Sequence, residues 1–243
     1  MKKYSVDPKI FWEEKILKWE EGRYFLKRGD KHSLLESSAN FLSNSLRFRM
    51  KMAMDLLRPH IEGKRVVELG CGSGLLTKLI IDAKVQSYLG IDITESAINL
   101  ARQRSQINGI KAKASFQIGS INSLPLPPAD IYFSLGLLDW LTDDQLSFLF
   151  TNTMKADFLH SFSEKRISLS QSLHRFYAQL AYGKRTGAYI PRYFSVDEIK
   201  RLSIKKNQRS FFIIRNSKLN FGAIMTSLPE KERSNANHYS VCR

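Results

Sequence analysis

The segment Val66-Val67-Glu68-Leu69-Gly70-Cys71-Gly72-Ser73-Gly74 constrains the fold of this chain more than any other. An apolar run ends in an acid, three glycines follow at alternate positions, and Leu75, Leu76, Leu79, Ile80 and Ile81 then recur at helical spacing. The pattern predicts a strand, a tight turn and a helix. Glycine adopts backbone conformations closed to other residues and lets a ligand come close, while the start of the following helix offers unpaired N–H groups and its positive end. Such a unit needs parallel partner strands, and the sequence supplies them at the right intervals. Arg65–Leu69 is the first predicted strand and Ser87–Ile91 the second, the latter closing on Asp92. Ala114–Ile118, Asp130–Leu135 and Asp157–Phe162 complete the series. Two alternating segments, Ser210–Arg215 and Phe221–Thr226, are joined by residues 216–220, a length that fits an antiparallel hairpin at the sheet edge.

The whole pattern predicts an α/β, Rossmann-like, seven-stranded sheet that is mostly parallel and ends in an antiparallel hairpin. Residues 1–62 lack strand alternation. Phe11, Trp12, Ile16 and Trp19 share one helical face, as do Phe41, Leu42, Leu46, Met50, Met54 and Leu57, so this part is predicted to be an N-terminal helical cap. Between the strands, Thr94 is placed to begin a helix with Glu95 in its first turn, and Asp143–Phe150 reads as another helix. After the fifth strand a helix over Ser170–Tyr182 interrupts the rhythm, which predicts a lid inserted at about residues 164–194. Ser195 then caps a short helix carrying Val196, Ile199 and Leu202. Residues 63–229 form the predicted α/β domain, and residues 230–243 a polar, frayed tail.

Composition narrows the chemistry. The chain has 243 residues and a formal net charge of +15, from 38 Lys and Arg against 23 Asp and Glu. That excess favours an anionic partner, whether a charged metabolite, nucleic acid or a lipid surface. The two cysteines, Cys71 and Cys242, provide neither a disulfide framework nor a metal site. No apolar run reaches the roughly 18 residues of a membrane span, and the opening residues lack the apolar stretch of a secretory signal. A cytoplasmic protein is the expectation.

Asp92 gives the glycine segment its meaning. A carboxylate at the end of the second strand can accept both hydroxyls of a ribose, so Glu68 and Asp92 frame a nucleoside-containing ligand across adjacent strand ends. With both acids and the three glycines, the sequence resembles the class I S-adenosylmethionine-dependent methyltransferases of the small-molecule type, over about residues 64–228. The resemblance implies S-adenosylmethionine as cofactor. It implies that Glu68, Gly70, Cys71, Gly72 and Gly74 surround the methionine part, and that Asp92 holds the ribose with Ile93 against the adenine. Ser120 and Ile121 are implied beside the adenine ring, and Leu135 with Gly136 beneath the sulfonium. Many relatives carry Asp where this chain has Ser120. The placing of the inserted lid also resembles, loosely and in architecture alone, the magnesium-protoporphyrin methyltransferases.

The turn after the fourth strand, Ser134-Leu135-Gly136-Leu137-Leu138-Asp139-Trp140-Leu141, lacks the Asn/Asp-Pro-Pro-aromatic run common in enzymes that methylate base amines. Cys71, inside the glycine turn, is read as a small packed residue and not as a nucleophile. Methyl transfer from a sulfonium needs alignment, a dry cleft and, for a hydroxyl acceptor, a base. Asp139 and His174 are the candidate bases; a turn cap and a local helix-face contact are their structural alternatives. Tyr24 is a candidate cap over the methyl group, and Arg47 or Arg49 can reach the cofactor carboxylate. Residues 165–209 hold 11 Lys and Arg against Asp197 and Glu198, interleaved with Tyr177, Tyr182, Tyr189 and Tyr193. That stretch suits an anionic acceptor with ring or apolar surface. The expected act is methyl transfer to a small anionic or amphipathic metabolite, on oxygen. Two alternatives stay open: a nucleic-acid (RNA) methyltransferase that uses the basic lid, and a non-catalytic S-adenosylmethionine-binding protein.

Overall fold

The structure, a computed structural model, describes residues 7–24, 34–122, 125–153, 155–179, 189–204, 210–229 and 240–242. Strands β1 (Arg65–Leu69), β2 (Ser87–Asp92), β3 (Ala114–Ile118), β4 (Ile131–Leu135) and β5 (Asp157–Ser163) run parallel. Strands β6 (Phe212–Arg215) and β7 (Gly222–Thr226) pair antiparallel, and β7 lies against β5. Among the described residues the sheet order is β3-β2-β1-β4-β5-β7-β6-β8. The seven expected strands are therefore present, each within two residues of its predicted bounds. The eighth, β8 (Ser240–Cys242), corrects the reading of residues 230–243 as a wholly frayed tail. Its three residues satisfy the unpaired edge of β6, which an open sheet otherwise leaves exposed.

Two helices precede the sheet: α1 (Pro8–Tyr24) and α2 (Leu34–Leu57). The others are α3 (Thr77–Asp82), α4 (Glu95–Ile107), α5 (Asp143–Asn152), α6 (Leu169–Ala178) and α7 (Val196–Ile204). Strand alternation feeds two cores. Val66, Tyr88, Phe133, Leu159 and Ile224 point to one face, where α2 contributes Met52, Ala53 and Leu57. Val67, Tyr132, Phe158, Ile213 and Met225 point to the other, where α5 contributes Leu146, Leu149 and Phe150. Burying one such Leu, Phe or Met side chain is worth about 1.5–3 kcal/mol, so strand register is set by both faces at once. No described helix is long and apolar enough to cross a membrane, and no described group of three His, Cys, Asp or Glu is arranged to hold a metal ion.

Helix boundaries follow local chemistry. Thr142 and Gln145 form a reciprocal capping box that starts α5. Ser195 accepts the Glu198 N–H at 3.1 Å, as the sequence predicts. At Thr94 the expectation is only partly met. Thr94 does occupy the capping position, but its hydroxyl donates to Asp92, and the free N–H groups of Glu95 and Ser96 are received by Glu13 of α1, at 2.7 and 2.8 Å. A carboxylate from a distant helix thus closes α4, and α1 is docked across the carboxyl ends of the strands.

Candidate active site

Strand order reverses on either side of β1, which places β2 on one flank and β4 on the other. In an open α/β sheet such a reversal opens a crevice beyond the carboxyl ends of the strands. Here it opens into a cavity of about 1430 Å³ that extends under α1, the loop after β4 and residues 189–193.

The glycine turn lies on its floor. Gly70, Gly72 and Gly74 all have positive φ, at 71°, 52° and 71°. Gly70 and Gly72 line the cavity. Gly74 does not; a Cβ there would meet Thr77 Oγ1 at 2.9 Å, Ala101 Cβ at 3.2 Å and Phe116 Cε1 at 3.3 Å. The absence of a side chain there holds the turn close to α4 and β3. Cys71 lines the cavity but is buried, with its thiol pushed well up by burial and by neighbouring carboxylates. An unionised thiol of this kind is inert.

Asp92 is buried at the end of β2. Its Oδ2 accepts the Gly72 N–H at 2.8 Å, and its Oδ1 accepts the Thr94 N–H at 2.9 Å and the Thr94 hydroxyl at 2.7 Å. These bonds fix the carboxylate at the cavity wall while burial raises its affinity for a proton. Glu68 lies deeper, at full burial, where Tyr88 donates to its Oε2 at 2.6 Å. Desolvation, with Asp92 and Glu20 adding like charge, pushes its carboxyl up to about 8. Ile93, Ser120 and Ile121 line the next part of the cavity, and Leu135 and Gly136 line the side toward β4. Ser120 donates to Asn122 Oδ1 at 3.0 Å.

Arg49 reaches the cavity from α2, its guanidinium resting on Gly136 so closely that a Cβ there would come within 3.0 Å of Nη1. Its buried Nε has no hydrogen-bond partner. Arg47 turns outward instead and donates to Asn44 at 2.6 Å. The side chain of Tyr24 lies outside the described residues, as do those of Tyr177 and Tyr182.

Both candidate bases line the cavity. Asp139 has its oxygens occupied: Oδ1 accepts the Ser163 N–H and Oδ2 the Ser163 hydroxyl, both at 2.7 Å. Burial raises its carboxyl to about 6. The geometry joins the turn after β4 to the end of β5. His174, on α6, shares a hydrogen bond between its Nδ1 and the Tyr193 hydroxyl. Arg175 lies 4.7 Å from the centroid of the Tyr193 ring.

The far wall is aromatic. Trp12 meets Trp140 edge-on at 4.7 Å between centroids and donates through Nε1 to the Tyr189 hydroxyl at 3.2 Å. Trp12, Ile16 and Glu20, four residues apart on α1, all face the cavity. Glu20 is the residue that sequence reasoning passed over. It is 5% exposed, and its Oε1 accepts the Ser73 N–H at 3.0 Å while its Oε2 accepts the Ser73 hydroxyl. An acid placed where an apolar helical stripe should continue was the available signal.

Part of the basic charge of the predicted lid is neutralised within the fold. Arg166 and Arg215 both bind Glu164 at 2.7 Å, and Arg192 reaches Asp143 at 2.7 Å and Glu198 at 3.3 Å.

Residues 60–171 match the family model of a methyltransferase domain. Over 157 residues, 59% of this chain and 57% of the relative, the chain is 31% identical to the malonyl-[acyl-carrier protein] O-methyltransferase of Chlorobium luteolum. Over 96 residues, 38% of this chain and 35% of the relative, it is 34% identical to the trans-aconitate 2-methyltransferase of Methylobacterium nodulans. The chain thus spans less than two thirds of the length of these curated relatives. Among solved structures it is similar to magnesium protoporphyrin IX methyltransferase from Synechocystis PCC 6803 with bound S-adenosylhomocysteine, with a TM-score of 0.65 and 16% identity. That likeness covers 90% of this chain and 96% of the other, and it concerns the fold.

The residues present fit the cofactor. Gly70 and Gly72 bring the backbone of the turn to the cavity wall, Asp92 is held at the strand end beside them, and Arg49 brings an unsatisfied donor into the same cavity.

Proposed function

We propose that this methyltransferase moves a methyl group from S-adenosylmethionine to an oxygen of a small anionic or amphipathic metabolite, and that it works in the cytoplasm. One observation carries the reading: a single cavity joins the glycine turn and Asp92 to an aromatic wall of Trp12, Trp140 and Tyr189. When bound, the cofactor supplies an electrophilic sulfonium methyl. The protein's own residues do the rest. Asp92 would receive the ribose hydroxyls, Ile93 and Ile121 would lie beside the base, and Arg49 would take the carboxylate end. The aromatic wall excludes water and orients the flat or apolar part of the acceptor, which is worth more here than acid-base power. If a hydroxyl is methylated, Asp139 and His174, which both line the cavity, are the candidate bases. A carboxylate acceptor needs no base. The internal pairing of Arg166 and Arg192 supports a small acceptor over RNA, since it removes cations that phosphates would need.

The test is incubation with methyl-tritiated S-adenosylmethionine and a small-molecule extract, then mild alkali. Methyl esters release volatile labelled methanol, whereas ethers and amines keep the label. Base-labile or base-stable oxygen-linked label on small molecules supports the reading. Label confined to RNA, or no transfer with retained cofactor binding, overturns it in favour of one of the two alternatives above.

A further inference from the structure

On the cofactor reading just given, the sheet supplies partners for the ribose and base, and α2 supplies Arg49. The amino-acid end of the cofactor also carries an ammonium, and the structure points to a residue for it outside the sheet. We propose that Glu20, carried by the N-terminal helix, receives the cofactor's α-ammonium, so that α1 completes the cofactor site.

Position is the first support. The Glu20 carboxylate lies directly over the glycine turn and faces the cavity, so close that a Cβ on Gly72 would overlap its Oε1. It takes one bond at each oxygen from Ser73, which leaves acceptor capacity on a group with about four lone-pair sites. Charge is the second. Glu20, Glu68 and Asp92 crowd one end of the cavity; burial raises the carboxyls of all three, and like charge adds to the rise at Glu20 and Glu68. Arg104 stands beside this group, its Nη1 meeting the Ser73 carbonyl oxygen at 3.0 Å and the hydroxyl, and its charge offsets part of the rise at Glu20. A cation seated in the cavity would relieve that repulsion. Across the cavity, Arg49 with its unpartnered Nε suits the opposite charge, so the two ends of an amino-acid zwitterion have matching poles. The third support is that α1 has other anchors. Glu13 closes the start of α4, and Trp12 packs on Trp140 and Tyr189. Glu20 is thus one of several contacts that hold α1.

The experiment is calorimetric titration of the whole chain with S-adenosylhomocysteine and with 5′-methylthioadenosine, which keeps the adenosine and thioether but has no amino-acid end. Wild type, Glu20→Gln, Glu20→Ala and Glu13→Gln are compared, with thermal melts to confirm folding. Both Glu20 variants should weaken S-adenosylhomocysteine about tenfold or more, the loss of one charge-assisted hydrogen bond, and leave 5′-methylthioadenosine within about twofold. Glu13→Gln, which loosens α1 away from the amino-acid end, should leave the ratio of the two affinities unchanged. Equal weakening of both ligands in the Glu20 variants would reduce Glu20 to a helix anchor and overturn the proposal. Tighter S-adenosylhomocysteine binding would also overturn it, because Glu20 would then be occupying the seat of the cofactor's own carboxylate. Failure of wild type to bind either ligand would overturn the cofactor reading itself, and this proposal with it.

Discussion

Gly72→Ala tests the contact on which the floor of the site is built. A Cβ at Gly72 meets Glu20 Oε1, and the residue has φ +52°. Two costs follow. A non-glycine residue in the left-handed region costs about 1–2 kcal/mol. The overlap itself is relieved if the Glu20 side chain swings away, but its bonds to the Ser73 N–H and hydroxyl are then lost. Hydrogen bonds to a charged group contribute about 1.5–3 kcal/mol, so the variant should lose about 2.5–5 kcal/mol in all. For a chain of this size that lowers Tm by roughly 5–20 °C. In a Glu20→Ala background only the backbone cost remains, so Gly72→Ala should then cost about 1–2 kcal/mol. Urea unfolding of the wild type, both single variants and the double variant closes the cycle, with an expected coupling of about 1.5–3 kcal/mol. Additivity within about 0.5 kcal/mol would refute the contact.

Other outcomes follow from the buried acids. Burial raises the Glu68 carboxyl from 4.5 to about 8, so the folded chain keeps a proton that the unfolded chain releases across that window. Wild-type stability should therefore fall, relative to Glu68→Gln, as pH rises from 5 to 8; a stability difference independent of pH would contradict the assignment. Glu164 carries the reverse sign, since Arg215 and Arg166 hold its carboxyl below 4.5. Glu164→Gln should cost about 2–3 kcal/mol at pH 7 by leaving two guanidiniums without their charge partner, and the gap to wild type should narrow below pH 4.5 as the wild-type carboxyl protonates. Urea titrations at pH 3.5, 5 and 7 read both quantities, and a gap that is constant with pH would exclude the ion pair as its source.

The strands were legible because their apolar runs are bounded by turns and because each contributes to two buried faces, as Val66 and Val67 do. The glycine turn and Asp92 were legible because their chemistry is local: an acid at a strand end and glycines where the backbone turns left-handed. Four features were not. Gly74 obeys the same spacing as Gly70 and Gly72 yet turns away from the cavity, and only the packing of Ala101 and Phe116 reveals this. Strand β8 depends on an open edge 25 residues or more upstream, which nothing in Ser240–Cys242 announces. The basic stretch read as a substrate surface, but Arg166 and Arg192 find acids distributed from Asp143 to Glu198, pairings that exist only after folding. Glu20 combines both difficulties. Its helical face was visible, but its partner, Ser73, lies 53 residues away.

The central claim is that Asp92 and the glycine turn hold the nucleoside of S-adenosylmethionine. Calorimetric titration of purified wild type and Asp92→Ala with S-adenosylhomocysteine tests it most directly. Micromolar binding in the wild type, weakened about 100-fold or more in a variant that still melts cooperatively, is the predicted result, because two charge-assisted bonds to the ribose hydroxyls are lost. Equal affinity in the two proteins, or no binding to the wild type, would contradict the claim and leave the glycine turn as a structural element.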